Sequence, residues 1–314
     1  LWDLPLPARG HGATVRPGSD EGLVVARRPG SFAIVFDLHD GRQRRRIDPV
    51  AGRHFYGHGI YSADGRTLWM SENVYQSGDG MIGVYDAANG YAPVAAFPSG
   101  GIGPHQLAMM SDGKTLVVAN GGIRTHPDTG RRKLNLETMQ PSLSYIVAAS
   151  GRIVEQVTFA DPALHQLSIR HLAALPVGGV AFACQDQRHE APSSPLVFTH
   201  RIGSGEAFRP LAMPDTDIDR LHGYCESVTY DRAGHVLAVS SPKGGIVAFW
   251  QMPEGRWLGR FDLKDGCGVA EAADGSGFAL SSGEGLLVET VSGRRALHQQ
   301  RHAFRQWDNH LTAI

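Results

Sequence analysis

Five histidines recur at comparable places along the chain, and imidazole is a side chain that binds transition-metal ions in its neutral form. Each of them opens a short apolar run. A turn and a second apolar run follow in every case except that of His310, which opens the last run. The five are His11, His58, His105, His171 and His310. Cys225 and Cys267 stand at the same place in two further segments, and the steps between successive members are 47, 47, 66, 54, 42 and 43 residues. A side chain that recurs in this way predicts a site at which several of the copies meet.

The segments that must position these side chains are predicted to be paired strands. Asp64-Gly65 follows the apolar run after His58, and Asp112-Gly113 follows the run after His105. An Asp-Gly pair between two short apolar runs is typical of a β-hairpin, and a hairpin that repeats about every 40–50 residues is typical of a β-propeller. The sequence therefore predicts an all-β propeller with six complete four-stranded units. Seven blades are the alternative, if the N-terminal arm and the last strand build a partial blade.

We expect one propeller domain over residues 1–314. Residues 1–10 are predicted to form an extended arm, because Pro5 and Pro7 disfavour a helix. Residues 121–140 make a long polar insert, and a loop of that length in a compact domain is usually functional or disordered. The run 310–314 is expected to be a closure strand that joins the two ends of the propeller.

The first strand of a blade lies nearest the propeller axis, so residues that open first strands are expected around the mouth of the central channel. The second strand of each hairpin returns to the same face and brings carboxylates there, which balance charge or orient an imidazole. The predicted metal site comprises His58, His105, His171, His310, His11, Glu72 and Asp186. The N-terminal arm can shift the register of His11. In the alternative interpretation, each histidine only satisfies the backbone of a neighbouring blade.

The other histidines fall into three groups. His126 lies in the insert, where it either caps a turn or reaches the site. Three second-rank candidates near the same face are His165, His189 and His222. The remaining ones are expected at the surface: His39, His54, His200, His235, His298 and His302.

Composition narrows the function classes. The 314 residues carry a formal net charge of −1, which gives no electrostatic footprint for nucleic acid. No apolar run reaches the roughly 18 residues that a membrane span needs. Three cysteines cannot form a fully paired framework, so we expect at most one disulfide, Cys225 with Cys267, or reduced buried thiols. The sequence carries no Gly-x-Ser-x-Gly, His-Glu-x-x-His or Cys-x-x-Cys-His motif.

Several motifs together resemble a family of bacterial propeller proteins of unknown function. They are Gly103-Pro104-His105-Gln106-Leu107, Ala119-Asn120-Gly121-Gly122-Ile123, Lys133-Leu134-Asn135-Leu136, Ser168-Ile169-Arg170-His171-Leu172 and Trp307-Asp308-Asn309-His310-Leu311. Members of that family are typically exported and are often encoded beside imelysin-type iron-regulated proteins and a di-haem-type oxidoreductase. The resemblance implies a periplasmic protein whose signal peptide has been removed, with such iron-uptake proteins as partners. It implies no established reaction.

The sequence thus predicts a periplasmic metal-binding propeller that acts in iron acquisition or metal handling. Iron is the first candidate ion and copper the second. The insert is expected to cover the site and to contribute Asn120, Arg124 and His126 as cofactor-binding residues, while Arg131, Arg132 and Lys133 hold an anionic chelate or an acidic partner. We expect binding rather than catalysis. The alternatives are an interaction scaffold with structural histidines and a metal-dependent oxidoreductase.

Overall fold

The computed structural model describes residues 2–130, 132–188, 193–272, 277–291, 295–302, 306–307 and 310–312. Within these ranges the regular structure is almost all β-strand, in six four-stranded antiparallel sheets whose strands follow one another in chain order. Six such sheets make the fold a six-bladed β-propeller, which confirms the predicted class and blade number. The chain divides into two compact units, Leu1–Thr158 and Phe159–Ile314, here called unit 1 and unit 2, with three sheets each.

Unit 1 contains the first three sheets. Their strands are β1 (Gly10–Val15), β2 (Glu21–Ala26), β3 (Ala33–Asp37), β4 (Gln43–Ile47), β5 (Arg53–Tyr61), β6 (Thr67–Val74), β7 (Asp79–Asp86), β8 (Ala92–Ile102), β9 (Pro104–Met109), β10 (Thr115–Asn120), β11 (Ser142–Val147) and β12 (Ile153–Thr158). Short 3-10 turns lie at Ala87–Asn89, Pro127–Thr129 and Leu136–Thr138.

The two Asp-Gly pairs form the predicted hairpin turns between β5 and β6 and between β9 and β10. The Asp112 carboxylate accepts a hydrogen bond from the backbone N–H of Lys114 at 2.8 Å, and Asp64 accepts the equivalent bond. Gly65 and Gly113 follow with φ of +66°, a conformation that glycine adopts without a steric penalty. The turns therefore fix where each inner strand ends.

Apolar side chains between neighbouring sheets form the core of unit 1. The cluster between the first and second sheets includes Leu23, Val25, Val35, Phe55, Leu68, Met70 and Tyr85. The cluster between the second and third sheets includes Trp69, Ile82, Leu107, Leu116, Val118 and Ile146. The outer strands β4, β8 and β12 are mostly exposed, so burial in each sheet is concentrated on its inner strands.

Unit 2 contains the other three sheets. Their strands are β13 (Leu167–Ala174), β14 (Gly179–Asp186), β15 (Val197–Arg201), β16 (Arg209–Pro210), β17 (Val228–Asp231), β18 (Val236–Ser241), β19 (Ile246–Gln251), β20 (Arg256–Asp262), β21 (Gly266–Glu271), β22 (Phe278–Ser282), β23 (Leu286–Val291) and β24 (Arg295–Arg301). One short helix, α1 (Asp215–Arg220), and a 3-10 turn at Pro162–Leu164 complete its described regular structure.

All three cysteines lie in unit 2, and all three are buried and outside any disulfide. The possible Cys225–Cys267 disulfide is therefore not formed, and the alternative of reduced buried thiols describes the structure. Burial raises the pKa of each thiol, that of Cys267 to about 11. The cysteines behave as small apolar core residues.

The segments outside the sheets have the following structure. Residues 2–9 contain no strand or helix, and the insert 121–140 contains only the two 3-10 turns within its described residues. His310 to Thr312 lie outside any strand, and positions 313 and 314 of the expected closure strand are outside the described residues. The expectation of a single domain stays a prediction.

Candidate metal centre

The recurring histidines lie where the inner strands lose regular pairing. In unit 1 the irregular steps span residues 10–13 of β1, 55–59 of β5 and 104–107 of β9, and each step contains one histidine. In unit 2 the pairing of β13 shifts directly before His171, and that of β21 shifts at Cys267. A bulge turns the local side chain away from the regular alternation and is common next to functional sites.

The predicted register is only partly observed. His11 and His105 are the second residues of β1 and β9, close to the expected strand openings. His58 instead is the sixth residue of β5, and His171 is the fifth of β13. Extra pairs such as His54 with Asn73 extend β5 before its bulge. The shared feature is therefore the bulge rather than the start of the strand.

Unit 1 brings three of the five histidines together. The Nε2 atoms of His11 and His105 are 3.4 Å apart. The ring centroids are 4.8 Å apart for His11 and His58, 4.9 Å for His58 and His105, and 5.2 Å for His11 and His105. One nitrogen from each ring lies within 4.8 Å of the other two. His58 meets each of the other two rings edge to face, and His11 and His105 are tilted by 59° relative to each other, so no two rings stack face to face.

Two glycines make this close approach possible. A Cβ atom on Gly57 would lie 2.5 Å from Cδ2 of His11, and one on Gly12 would lie 2.8 Å from Cδ2 of His58. Gly57 also has a φ of +112°, which favours glycine. Each glycine neighbours one histidine in sequence and contacts the other one, so the bulges of β1 and β5 interlock through the two imidazoles.

The site is screened from solvent on most sides. His58 is 6% exposed and His105 is 7% exposed, whereas His11 is half-buried. Polar contacts of the β5 backbone frame the cluster, because the Ser71 hydroxyl donates to the carbonyl oxygens of His58 at 3.2 Å and His105 at 3.4 Å. One hydroxyl thus ties the second and third sheets together directly behind the histidines.

The three imidazoles can act chemically as a set of metal ligands. Two ligand nitrogens, each about 2.0–2.1 Å from an ion and separated by a tetrahedral angle, lie about 3.4 Å apart. This is the observed spacing of His11 and His105. A nitrogen of His58 lies within 4.8 Å of both, and three neutral ligands leave a coordination position for water or another group.

Unit 2 contains the other two predicted histidines. His171 is buried, and its ring centroid is 4.9 Å from that of His310. The two ring planes are tilted by 56° relative to each other. The prediction that all five histidines bind one ion stays a prediction.

The two predicted carboxylates have arginine partners. Glu72 is fully buried, lies 3.1 Å from Nη1 of Arg53, and accepts a hydrogen bond from the Tyr85 hydroxyl at 2.5 Å. Burial raises the pKa of Glu72, against the opposing effects of Tyr85 and Arg53. Asp186 is held by Arg188 with contacts of 2.6–3.1 Å. Neither carboxylate belongs to the three-histidine cluster. Each one is paired with an arginine, Glu72 with Arg53 and Asp186 with Arg188.

The insert residues hold the loop in place. The Asn120 amide donates to Ser99 O and Ser144 Oγ and accepts from Ser99 Oγ, which links β8, β10 and β11. The backbone N–H of Arg124 donates to Asn135 at 2.6 Å, and its side chain is exposed. His126 caps the 3-10 turn by accepting from the N–H of Asp128 at 3.2 Å, which is the first of its two predicted roles. Arg131 and His189 lie outside the described residues.

Two histidines expected at the surface are buried instead. His54 is 6% exposed and His200 is 5% exposed. His54 Nδ1 lies 3.2 Å from the carbonyl oxygen of Phe55, and burial lowers its pKa, with Arg28 and His126 adding to that effect. A usable signal was present, because His54 stands in an alternating run with Tyr56 and His58 ahead of a predicted strand.

Comparison with known proteins identifies the family and supports the fold. A search of curated proteins finds no match. Among solved structures, Kuenenia stuttgartiensis hydrazine synthase is similar with a TM-score of 0.67 and 16% sequence identity, over 96% of this chain and 86% of that one. At this identity the likeness concerns the fold alone. Within the described residues no helix has the length and apolar character to cross a membrane. A family model described as "Protein of unknown function (DUF1513)" matches residues 4–314, and the chain therefore belongs to the DUF1513 family.

Proposed function

We propose that this protein binds a transition-metal ion through His11, His58 and His105. The observation that carries the proposal is the 3.4 Å separation of the His11 and His105 Nε2 atoms, with a nitrogen of His58 in the same cluster. Without an ion the same spacing is that of a hydrogen bond between the two ring nitrogens. A shared ion would engage the nitrogen of His58 as well, and this third imidazole is what distinguishes the proposal from a simple histidine pair.

The ligand set supports an ion of intermediate softness. Three neutral imidazoles without a carboxylate suit iron, copper, zinc or nickel better than magnesium or calcium. Iron is the first candidate, because the family resemblance implies an iron-acquisition setting, and copper is the second. In this proposal the protein works in the periplasm and passes metal to, or receives it from, iron-uptake proteins of the imelysin type.

The protein's own residues have two roles in the proposal. The bulges of β1, β5 and β9 orient the imidazoles, and the core of unit 1 limits the access of water to His58 and His105. A bound ion would supply Lewis acidity at its open position. Binding and delivery need only ligand exchange there, so we assign no catalytic reaction.

The test is metal competition with protein purified without a histidine tag. Apo protein is dialysed under anaerobic conditions against equal concentrations of iron(II), copper(I) and zinc, and bound metal is measured by mass spectrometry. We expect about one ion per chain, lost in a His11→Ala/His58→Ala variant and retained in a His39→Ala/His298→Ala variant. Equal metal content in wild type and both variants would overturn the proposal and favour the scaffold with structural histidines.

A further inference from the structure

Unit 2 contains an open cavity of about 610 Å³ between its first and second sheets. It lies where β13 turns into β14, where β15 ends and where the turns after β17 and β19 meet. A volume of this size is ordinary for a site that takes a small organic molecule. All of its lining residues belong to unit 2, so the cavity is separate from the histidine cluster of unit 1.

The wall of the cavity is divided between apolar and cationic groups. Leu175, Pro176, Val177 and Met252 line its apolar part. Arg201 and Arg209 lie on the polar part, and within the described residues neither guanidinium is within ion-pair distance of a carboxylate. Glu206 is the one acidic residue of the lining. The cavity thus offers two arginines that have no carboxylate partner there.

Arg209 is held by backbone carbonyl groups rather than by an ion pair. Nη2 of Arg209 donates to the carbonyl oxygens of Pro253 at 3.3 Å and Glu254 at 3.5 Å. These bonds hold the guanidinium at the rim and leave its other N–H groups for a ligand. At the cavity wall, the Tyr230 hydroxyl shares a hydrogen bond of 2.7 Å with Nδ1 of His235. A guanidinium group binds a carboxylate through two parallel hydrogen bonds, so a carboxylate is the ligand group that this part of the wall suits.

Val177, in the wall of the cavity, has a backbone conformation that is unusual for valine. It has a φ of +54°, and Gly178 follows with +73°. The N–H of Gly179 donates to the carbonyl oxygen of Pro176 at 3.1 Å, so the segment is a tight turn with two left-handed central residues. Such turns favour Asn, Asp or Gly at the position of Val177. A β-branched residue there is strained, and its side chain is 77% exposed.

We propose that this cavity binds a small amphipathic carboxylate, with its charged group on Arg201 and Arg209 and its apolar body on Val177 and Met252. The proposal explains why a strained turn presents an apolar side chain to solvent, since a ligand would cover Val177. It also explains two rim arginines without carboxylate partners in the described structure. Strained residues of this kind are concentrated at ligand sites.

The test is isothermal titration calorimetry on the full chain with hexanoate, hexan-1-ol and acetate. Hexanoate should bind with one site per chain, and both hexan-1-ol and acetate at least about tenfold more weakly, because each lacks one of the two recognised groups. Arg209→Gln should weaken hexanoate about tenfold and leave hexan-1-ol unchanged. Arg152→Gln, which removes an exposed arginine of unit 1, is the matched control and should change neither titration.

Two further variants give effects that a merely structural role would not produce. Glu206→Gln should tighten hexanoate binding by removing a negative charge from the rim. Val177→Asn should raise the thermal midpoint, because asparagine suits the turn, and should weaken hexanoate binding. Absence of hexanoate binding, equal affinity for hexan-1-ol, or equal affinity of the Arg209→Gln and wild-type proteins would each overturn the proposal. None of these measurements involves a metal ion.

Discussion

The histidines of this chain differ mainly in how deeply they are buried and in whether other imidazole rings lie beside them. His58 and His105 are almost fully buried beside His11, whereas the side chain of His39 is 74% exposed and lies 3.3 Å from Asp20. Their spacing in sequence identified the buried ones correctly, because a repeat places equivalent residues at equivalent positions. Spacing gave no information on His54, whose ring lies beside those of Tyr56 and Tyr75.

Replacement of His105 separates a ligand role from a structural one. His105→Ala should weaken metal binding by more than about 100-fold, since loss of a residue that merely supports a ligand costs about 10–100-fold. His39→Ala is the control and should keep wild-type affinity. The check is titration of apo protein with each metal, alongside the thermal midpoint. A His105→Ala protein that loses about 1 kcal/mol of stability but binds metal normally would support purely structural histidines.

The buried His54 should make the folded protein less stable in acid. Burial lowers the pKa of His54 in the folded protein, so below about pH 6.5 the unfolded chain binds a proton that the folded chain does not. The free energy of unfolding should therefore fall as the pH drops below about 6.5. In His54→Asn, whose amide can still donate to Phe55, this fall should be smaller. Urea denaturation at several pH values measures it, with His39→Asn as the control. Identical slopes in wild type and His54→Asn would be inconsistent with a buried neutral His54.

Among the structural elements, the hairpins were predictable from their turn residues, whereas the apolar pattern did not reveal the bulges. Asp112 and Gly113 specify their turn by local hydrogen bonds and backbone preference, and local chemistry is visible in a sequence. A bulge is an extra residue in one strand that has no partner in the next, so its place depends on how the two strands pair. The alternation of apolar residues within one strand does not show this pairing. The glycines around His11 and His58 were a usable signal, because glycine within a strand often marks a bulge or a close approach.

Gly57 tests whether the bulge of β5 positions the site. Gly57→Ala places a Cβ against the His11 ring in addition to the cost of its positive φ. Gly52→Ala is the matched control. Gly52 also has a positive φ, of +81°, but a Cβ atom added there would have no atom within 4 Å. We expect Gly52→Ala to cost about 1–2 kcal/mol of unfolding free energy and to keep metal binding. Gly57→Ala should cost more and weaken metal binding, as measured by denaturation and metal titration. Normal metal affinity in Gly57→Ala would separate the bulge from the site.

At the scale of the whole molecule, the repeat determined the prediction of the fold. Six copies of one strand pattern are enough to indicate six four-stranded sheets, and each sheet forms from strands that are neighbours in sequence. The cavity of unit 2 was not predicted. Its lining comes from the turns near Val177, His235 and Pro253. These turns differ in sequence from blade to blade, so the repeat contains no pattern that would indicate a cavity.

Thiol chemistry checks the buried cysteines of unit 2. Cys184, Cys225 and Cys267 form no disulfide, and burial raises the pKa of each thiol. The folded protein should react slowly with a thiol reagent, because the reactive thiolate is scarce and shielded. After denaturation without reductant, three thiols per chain should titrate. A count of one would instead indicate the Cys225–Cys267 disulfide, and would contradict the structure of this unit.

X-ray absorption at the edge of the bound metal tests the central claim most directly, because the fine structure reports the number and type of ligand atoms. For wild-type protein loaded with one ion we expect at least three imidazole ligands at about 2.0–2.1 Å, with one imidazole fewer in His105→Ala. A ligand shell without imidazole, or the same number of imidazoles in both proteins, would contradict a metal centre at His11, His58 and His105.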